Sequence, residues 1–360
     1  MHRARQPILI ALRGLDPVGT GRQAELLARR FAADGRAVHV AITSAGGSVA
    51  ERLRAAGLPV HAVGRRPVPD VAAAVRLAAL ARRLGSGTLV SFGRRQALMA
   101  ALVRDVVPRW RTVCRVAVPP RKGRLAYGLR RADCIVATST GVAEACGRLG
   151  IAPTRIATVP PGISTEAGGG LGREAIAARL GLDPTCGWTL AVTPLVAAAR
   201  LERLVWGIDQ LGVVRKHMQH VLVGAGPQQR RLWRRARVQQ LAERLFVMPH
   251  CDLLSDLLGQ VGYVWQPGTT ALGGVILDAM ARGVPAVAVE SDAARQLVVP
   301  GETGWIVPPL PESELPRRAF QLLEKPDEAA RFGAAARMRA ADVFPVAEMV
   351  AGFAAAIEGC

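Results

Sequence analysis

Short apolar runs alternate with segments of helical periodicity along almost the entire chain. The run at residues 7–12 has the length of a buried strand, and segment 23–33 repeats its apolar residues every three or four positions. The same alternation predicts further strands at 37–42, 60–63, 88–91, 112–116, 134–137, 189–192, 221–223, 245–247, 263–265, 286–289 and 304–307. It predicts further helices at 48–56, 70–84, 312–324, 327–341 and 346–357. Such regular alternation favours parallel sheets covered by helices on both faces.

One Pro- and Gly-rich stretch interrupts this pattern. Residues 159–172 (VPPGISTEAGGGLG) have the composition of an inter-domain connection. We therefore predict an N-terminal domain at 1–165, a C-terminal domain at 166–345, and a last helix at 346–360 that packs back on the N-terminal domain. The predicted fold class is α/β, with two doubly wound Rossmann-like domains facing across a cleft. Ligands of such sheets bind beyond the carboxyl ends of the strands.

Residues 261–290 (VGYVWQPGTTALGGVILDAMARGVPAVAVE) predict a complete β-α-β unit. The apolar run at 261–265 ends in a Pro-Gly turn, and a helix beginning near Leu272 ends at Gly283, two residues before Pro285. The first turn of such a helix offers unpaired N–H groups, which suit a phosphate. Asp278 lies about one and a half turns into the helix, near anything bound there.

Two further glycine turns follow predicted strands. Gly19, Thr20 and Gly21 lead into the first helix, where a G-x-G sequence serves either a tight turn or close approach of the backbone to a ligand. Gly224 and Gly226 follow the strand at 221–223 in the same way. The helix after Gly226 carries five arginines, which form either a solvated basic face or an anion site.

Charge and composition narrow the classes of function. Half of the 360 residues are hydrophobic, only 4% are aromatic, and 47 basic against 28 acidic side chains give a net charge of +19. This charge favours anionic partners such as phosphates and acidic lipid headgroups. The six cysteines form no C-x-x-C pair and no Cys/His cluster at zinc spacing, so we predict no metal site. No apolar stretch has the ~20 residues that a membrane span needs, and the N-terminal apolar run is too short for a signal peptide; we predict a cytoplasmic protein.

Several motifs together resemble the retaining glycosyltransferases of GT-B fold, especially glycosyltransferase family 4 (group 1). VGAGP at 223–227 resembles the V-G-x-G-P turn of that family, DAMARGVPAVA at 278–288 its E-A-M-A-x-G-x-P-V-V-A, and PGETGWIVPP at 300–309 its D-G-x-T-G-x-L-V-P-P. The opening glycine loop, RRADCIVATSTG at 130–141 and VPPGIS at 159–164 resemble N-terminal segments of the family. The likeness extends over nearly the whole chain and implies a nucleotide diphosphate-sugar as substrate, with no separate cofactor.

The resemblance also implies roles for individual residues. Asp278 takes the position of the family glutamate that binds the ribose hydroxyls, and Thr270 that of the glutamate at the reacting sugar. Leu272 and Gly273, with Gly224, Gly226 and Arg295, fall on the donor nucleotide and diphosphate side. Gly19, Thr20 and Gly21 fall on the sugar or acceptor side.

Some catalytic positions of the family are replaced in this chain. Its diphosphate-binding Arg and Lys correspond to Pro194 and Ala199, and Arg200 is one residue beyond the second position. Thr270 and Arg200 are therefore the catalytic candidates. Because cations at the departing phosphate supply much of the rate, their loss weakens the electrostatic stabilisation of the leaving group.

Two functions remain open at this point. One is an active hexosyltransferase that acts on a glycan, lipid or small-molecule acceptor; the other is a catalytically weakened homologue that binds a nucleotide sugar or a partner transferase. A nucleic-acid binder is not favoured, because stacking aromatics do not interleave with the basic residues. The arginine excess adds the hypothesis of peripheral contact with an anionic membrane, on its inner face.

Overall fold

The computed structural model describes residues 6–14, 19–43, 48–64, 71–164, 170–269 and 274–359. The chain divides into two compact units. The first contains residues 1–162 and 344–360, and the second contains residues 163–343. Each unit is built on one parallel sheet.

Seven strands form the sheet of the first unit, in the order β3-β2-β1-β4-β5-β6-β7, and all of their pairings are parallel. The strands are β1 (Ile8–Leu12), β2 (Val38–Ile42), β3 (Val60–Ala62), β4 (Gly87–Phe92), β5 (Trp110–Val116), β6 (Cys134–Ala137) and β7 (Ile156–Thr158). The helices between them are α1 (Gly19–Ala33), α2 (Ser48–Ala55), α3 (Val71–Leu84), α4 (Arg94–Val106), α5 (Arg124–Arg131) and α6 (Thr140–Gly147).

Side chains that alternate along β1 pack against different helices on the two faces of this sheet. Ile8, Ile10 and Leu12 pack with α1 and α2 on one face, whereas Leu9 and Ala11 pack with α3 and α4 on the other. Because successive side chains of a strand point to opposite faces, a strand covered on both sides must be apolar throughout. All five residues of β1 are buried.

The last helix of the chain, α15 (Val346–Gly359), packs on the face of the first sheet that α1 and α2 cover. The rings of Phe353 and Phe92 stack with centroids 6.1 Å apart. Gln23 of α1 donates its amide to the Gly162 carbonyl at 2.6 Å and accepts from the Gly162 N–H at 2.9 Å. A Cβ atom on Gly162 would lie 2.8 Å from the Cβ of Met349 on α15, so only glycine fits at this contact.

Six strands form the sheet of the second unit, in the order β10-β9-β8-β11-β12-β13, again with parallel pairings. The strands are β8 (Gly187–Val192), β9 (Met218–Val223), β10 (Leu245–Met248), β11 (Tyr263–Gln266), β12 (Ala286–Val289) and β13 (Gly304–Val307). The helices are α7 (Arg173–Leu180), α8 (Leu201–Val214), α9 (Gln229–Val238), α10 (Leu254–Leu258), α11 (Gly274–Met280), α12 (Asp292–Leu297), α13 (Glu314–Glu324) and α14 (Pro326–Val343). Helices α8, α9 and α13 cover one face, where Tyr263, Trp265 and Phe332 are fully buried.

The predicted fold class, two doubly wound parallel α/β domains, is confirmed by these two sheets. Several strands begin a few residues before their predicted bounds, and two larger differences concern the first unit. Strand β7 has only three residues and adds an unpredicted edge to the first sheet, and α1 begins at Gly19 rather than at residue 23. None of the helices in the described ranges has the length and apolarity needed to cross a bilayer.

Candidate functional site

A pocket of about 450 Å³ lies at the carboxyl ends of four strands of the second sheet. Its walls come from segments that follow β8, β11 and β13, together with Val289, the last residue of β12. This is the edge at which doubly wound sheets bind ligands. The remaining lining residues are Ala197, Ala198, Arg200, Arg203, Gly268, Thr269 and Pro309.

Direct backbone packing shapes one wall of this pocket. A Cβ atom on Gly268 would lie 2.5 Å from the Ala198 carbonyl oxygen and 2.7 Å from that of Ala199. The segment after β11 therefore rests on the short 3-10 turn Ala197–Ala199 that precedes α8. A side chain at position 268 would push these segments apart and change the pocket.

Arg200 joins that 3-10 turn to α8 and lines the pocket with an exposed guanidinium group. Its backbone is left-handed, with φ 52° and ψ 47°, a conformation that costs a residue with a Cβ atom roughly 1–2 kcal/mol. Its Nη1 lies 3.6 Å from Oε1 of Glu202, and its side chain is 58% exposed. The one residue of the 197–200 turn with positive φ thus carries a cation that can reach a bound anion.

Arg203, in the first turn of α8, is a second arginine of the pocket, and the sequence pattern did not indicate it. The residue is only 4% exposed. Its Nη1 donates to the Pro267 carbonyl at 3.2 Å and its Nη2 to the Pro309 carbonyl at 2.8 Å. Arg203 thereby ties the segments after β11 and β13 to α8.

The positive charge of Arg203 is only partly compensated. Its nearest carboxylate is that of Glu312, at 3.6 Å and 44% exposed, and its buried Nε has no hydrogen-bond partner among the described residues. A buried cation without full pairing is costly unless a ligand or ion completes its environment. The signal in the sequence was an arginine on the apolar side of α8, between Leu201 and Leu204.

Asp278 lies on α11, which packs against β11 and β12. It is nearly fully buried, and it is not one of the residues that line the pocket. Helix α11 begins at Gly274 in the described range, so Thr270, Leu272 and Gly273 lie outside the described residues. Two roles stay predictions: phosphate binding at the start of α11 and ribose binding by Asp278.

Gly224 and Gly226 contact protein backbone where the sequence predicted approach to a ligand. A Cβ atom on Gly224 would lie 1.9 Å from the Thr193 carbonyl oxygen, and one on Gly226 would lie 2.4 Å from that of Leu195. The Leu195 N–H also donates to the Ala225 carbonyl at 3.0 Å. These two glycines therefore let the segments after β8 and β9 pack together, which places the turn that carries Arg200.

The other predicted residues do not line this pocket. Arg295 of α12 is exposed and forms an ion pair with Glu290 at 2.9 Å. Gly19, Thr20 and Gly21 form the first turn of α1 in the other unit, where Gly19 has φ 62° and Gly21 is buried. In the part of the chain that the structure describes, no group of three His, Cys, Asp or Glu side chains is placed to hold a metal ion.

Two doubly wound units with these sheets are the units of the GT-B class of folds, and solved structures of this class match nearly all of the chain. The HepE protein of Anabaena, crystallised with UDP-glucose, is 17% identical with a TM-score of 0.81, and the match covers 97% of this chain and 98% of HepE. Sucrose-phosphate synthase from Thermosynechococcus elongatus is 18% identical with a TM-score of 0.78 and covers 97% and 98%. A glycosyltransferase from Rickettsia africae is 13% identical with a TM-score of 0.76 and covers 97% of each chain.

Family models agree with the fold. Residues 17–167 match the model described as Glycosyltransferase Family 4, and residues 191–325 match the one described as Glycosyl transferases group 1. No curated protein matches the sequence. The chain therefore has the GT-B fold, and each of its two units carries a match to a glycosyltransferase domain.

Proposed function

We propose that this protein transfers a hexose from a nucleotide diphosphate-sugar to a glycan, lipid or small-molecule acceptor, with retention of anomeric configuration. The observation that carries the proposal is a pair of arginines, one exposed and one buried, in a pocket at the carboxyl ends of β8, β11, β12 and β13. The glycosyltransferase domain matches support the reaction class, and the UDP-glucose bound to HepE supports the donor class.

Each arginine has a distinct role in this proposal. Negative charge grows on the departing phosphate as the sugar becomes oxocarbenium-like, so fixed positive charge at that oxygen lowers the barrier. Arg200 contacts the diphosphate through its exposed guanidinium group. Arg203 acts as a positioning residue, because it holds the segments that carry Pro267 and Pro309. Its buried positive charge also attracts a bound anion, and the low dielectric around it strengthens this attraction.

A donor screen tests the proposal directly. Melting temperature is measured with UDP-, GDP- and ADP-sugars, and nucleotide release is then followed with a panel of acceptors. We expect one donor series to raise the melting temperature and to release its nucleotide, and NMR of the product to show a retained anomeric configuration. A protein that neither binds nor turns over any of these donors would contradict the proposal.

Variants of Arg203 separate its charge from its structural role. In Arg203→Met the carbonyls of Pro267 and Pro309 lose their donor, so we expect unfolding to become easier by about 2 kcal/mol and donor affinity to fall about tenfold. Arg203→Lys keeps the charge but not the double hydrogen bond. If charge serves the donor, the lysine variant recovers much of the affinity although its stability stays low; equal affinity losses in both variants would leave only a structural role.

The ribose assignment of Asp278 is tested independently of the arginines. A charged carboxylate accepts stronger hydrogen bonds from hydroxyl groups than a neutral amide does. Asp278→Asn keeps the shape of the side chain and removes that charge. We expect affinity for the nucleoside diphosphate to fall about tenfold, with little change in affinity for inorganic pyrophosphate. Unchanged nucleotide affinity, measured by calorimetry, would show that Asp278 does not bind the donor.

The second candidate function is donor binding without turnover. It is favoured by Pro194 and Ala199, which stand where the resemblance places two diphosphate-binding cations, and by Thr270 in place of a glutamate. A donor that raises the melting temperature but releases no nucleotide with any acceptor or with water would support this second function.

A further inference from the structure

Helix α9 presents a basic surface that the proposed transferase site does not use. Five of its ten residues are arginines, and all five are exposed: Arg230, Arg231, Arg234, Arg235 and Arg237. Only Leu232 and Ala236 of this helix are buried, against α8 and the core of the second unit. At 1.5 Å per residue, α9 spreads these charges over about 10 Å along its axis.

Among the residues that the structure describes, these arginines have no counterion. The guanidinium groups of these five residues form no ion pair or hydrogen bond with any residue in the described ranges. Between Asp209 and Glu243 the sequence has no acidic residue. Arg230 and Arg234, and likewise Arg231 and Arg235, stand one helical turn apart, where like charges destabilise a helix. An anionic surface outside the chain would remove this repulsion.

Exposed apolar side chains border the arginines. Trp233 is 43% exposed on α9, and Val238 at its end is 78% exposed. The end of α8 adds the exposed Val213 and Val214, and α8 packs beside α9. Arg244, which follows α9, donates from Nη1 to the Gly212 carbonyl at 3.2 Å and so ties the chain after α9 to the end of α8. We call the five arginines, Trp233, Val238, Val213 and Val214 the α8–α9 surface.

We propose that the α8–α9 surface binds the anionic headgroups of a membrane. Arginines with an exposed tryptophan and aliphatic side chains are the composition of interfacial helices, in which the cations meet lipid phosphates and the indole lies at headgroup level. A second copy of the chain does not fit, because it would bring the same positive charges together. A nucleic acid is less suited, because Trp233 is the one aromatic side chain of the surface and stacking on bases requires several.

Binding to vesicles tests this inference without reference to the donor site. The full chain is mixed with phosphatidylcholine vesicles that contain either no anionic lipid or 30% phosphatidylglycerol, and bound protein is measured by flotation at 50 and 300 mM salt. We expect binding to the anionic vesicles alone and a decrease at high salt. Brominated lipids should quench fluorescence in the wild-type protein and much less in Trp233→Phe, since Trp233 is the tryptophan of this surface.

A pair of charge-matched variants locates the binding site. Arg234→Gln/Arg237→Gln removes two charges from the α8–α9 surface, and Arg331→Gln/Arg337→Gln removes two exposed charges from α14 in the same unit. Each basic residue near an anionic surface contributes about fivefold in affinity, so the first variant should bind about 30-fold more weakly. The α14 variant should keep nearly all of its affinity, and both should keep wild-type affinity for the donor.

Two outcomes would overturn the inference. Equal losses in the two variants would mean that net charge and not this surface governs binding. Tighter binding of a 20-nucleotide single-stranded RNA than of the anionic vesicles, lost in Arg234→Gln/Arg237→Gln, would assign the surface to nucleic acid instead.

Discussion

Arg200 and Arg203 line one pocket three residues apart, yet they differ in every property that decides what a charge does. Arg200 is exposed, has a left-handed backbone and has Glu202 at 3.6 Å. Arg203 is buried in regular helix and bonded to two backbone carbonyls. An exposed arginine can reorient toward a ligand but is screened by water, whereas a buried one is fixed and poorly screened. In the proposed site, Arg200 contacts the bound diphosphate and Arg203 adds a fixed positive electrostatic potential.

The backbone of Arg200 allows its ligand role to be separated from stability. Glycine adopts φ 52° without the steric cost, so Arg200→Gly should raise the free energy of unfolding by up to about 1 kcal/mol. The same change removes the exposed cation and should weaken donor binding about tenfold. Denaturant titration and calorimetry measure the two effects, which move in opposite directions.

Arg200→Lys is the matched control for that substitution. It keeps both the strained backbone and the charge, so stability and donor affinity should stay near the wild-type values. If donor affinity is unchanged in Arg200→Gly, the strained residue does not serve the donor and the diphosphate must be held elsewhere.

Elements are predicted from the sequence wherever burial is uniform. The all-apolar run at 134–137 gives the bounds of β6, because every residue of that strand is covered on both faces. Strand β9 begins at Met218, before the predicted residue 221, since it includes the polar residues Gln219 and His220. Strand β7 has no apolar run and half-exposed residues, so periodicity cannot indicate it.

The site is less predictable than the elements for a related reason. Arg203 is recognisable only when the carbonyls of Pro267 and Pro309, 64 and 106 residues away, are placed beside it. Gly224 follows a strand as the sequence predicts, but its close contact with the Thr193 backbone could not be predicted from the local pattern, and its place on the donor side stays a prediction. The local sequence pattern predicts which element a residue lies on, whereas its contacts with distant segments show why that residue type is needed there.

A buried polar network joins three strands of the second sheet and predicts a pH dependence. Trp265 donates from Nε1 to Oγ1 of Thr189 at 2.9 Å, and that oxygen lies 2.7 Å from Nδ1 of His220. Burial, with the nearby charge of Arg244, lowers the pKa of His220 from 6.5 to about 3. Below pH 6.5 the unfolded chain therefore binds a proton that the folded chain does not. His220 should reduce the free energy of unfolding by about 1.4 kcal/mol per pH unit as pH falls from 6.5 towards 3.

His220→Asn tests this dependence, because asparagine can hydrogen-bond Thr189 and does not titrate. Tryptophan fluorescence reports mainly on the second unit, which contains Trp188, Trp206, Trp233, Trp265 and Trp305. Between pH 6 and 5 the variant should lose stability less steeply than the wild type, whatever its stability at pH 7. Parallel slopes for the two proteins would assign the acid sensitivity to other groups, such as His39 and His61 of the first unit, whose pKa values burial also lowers.

At the scale of the whole molecule, the chain leaves its first unit at Gly162 and returns to it at Phe344. The first unit is therefore built from two separate segments of the chain, and the second unit is the continuous segment between them. The core of the first unit is complete only when α15 is in place, because Met349, Val350 and Phe353 are buried on its sheet. A substitution in the last helix should thus act on the part of the chain that is farthest from it in sequence.

Phe353→Ala and Phe332→Ala make a matched test of this arrangement. Both rings are fully buried against an aromatic neighbour, Phe353 beside Phe92 in the first unit and Phe332 beside Trp305 in the second. Each truncation should cost about 3–5 kcal/mol in the unit that holds the ring. Hydrogen exchange read by mass spectrometry should show faster exchange in α1 and β1 for Phe353→Ala, and in β12 and β13 for Phe332→Ala. If either variant accelerates exchange equally in both sheets, the two units unfold as one cooperative body, and α15 stabilises the whole chain rather than the first unit alone.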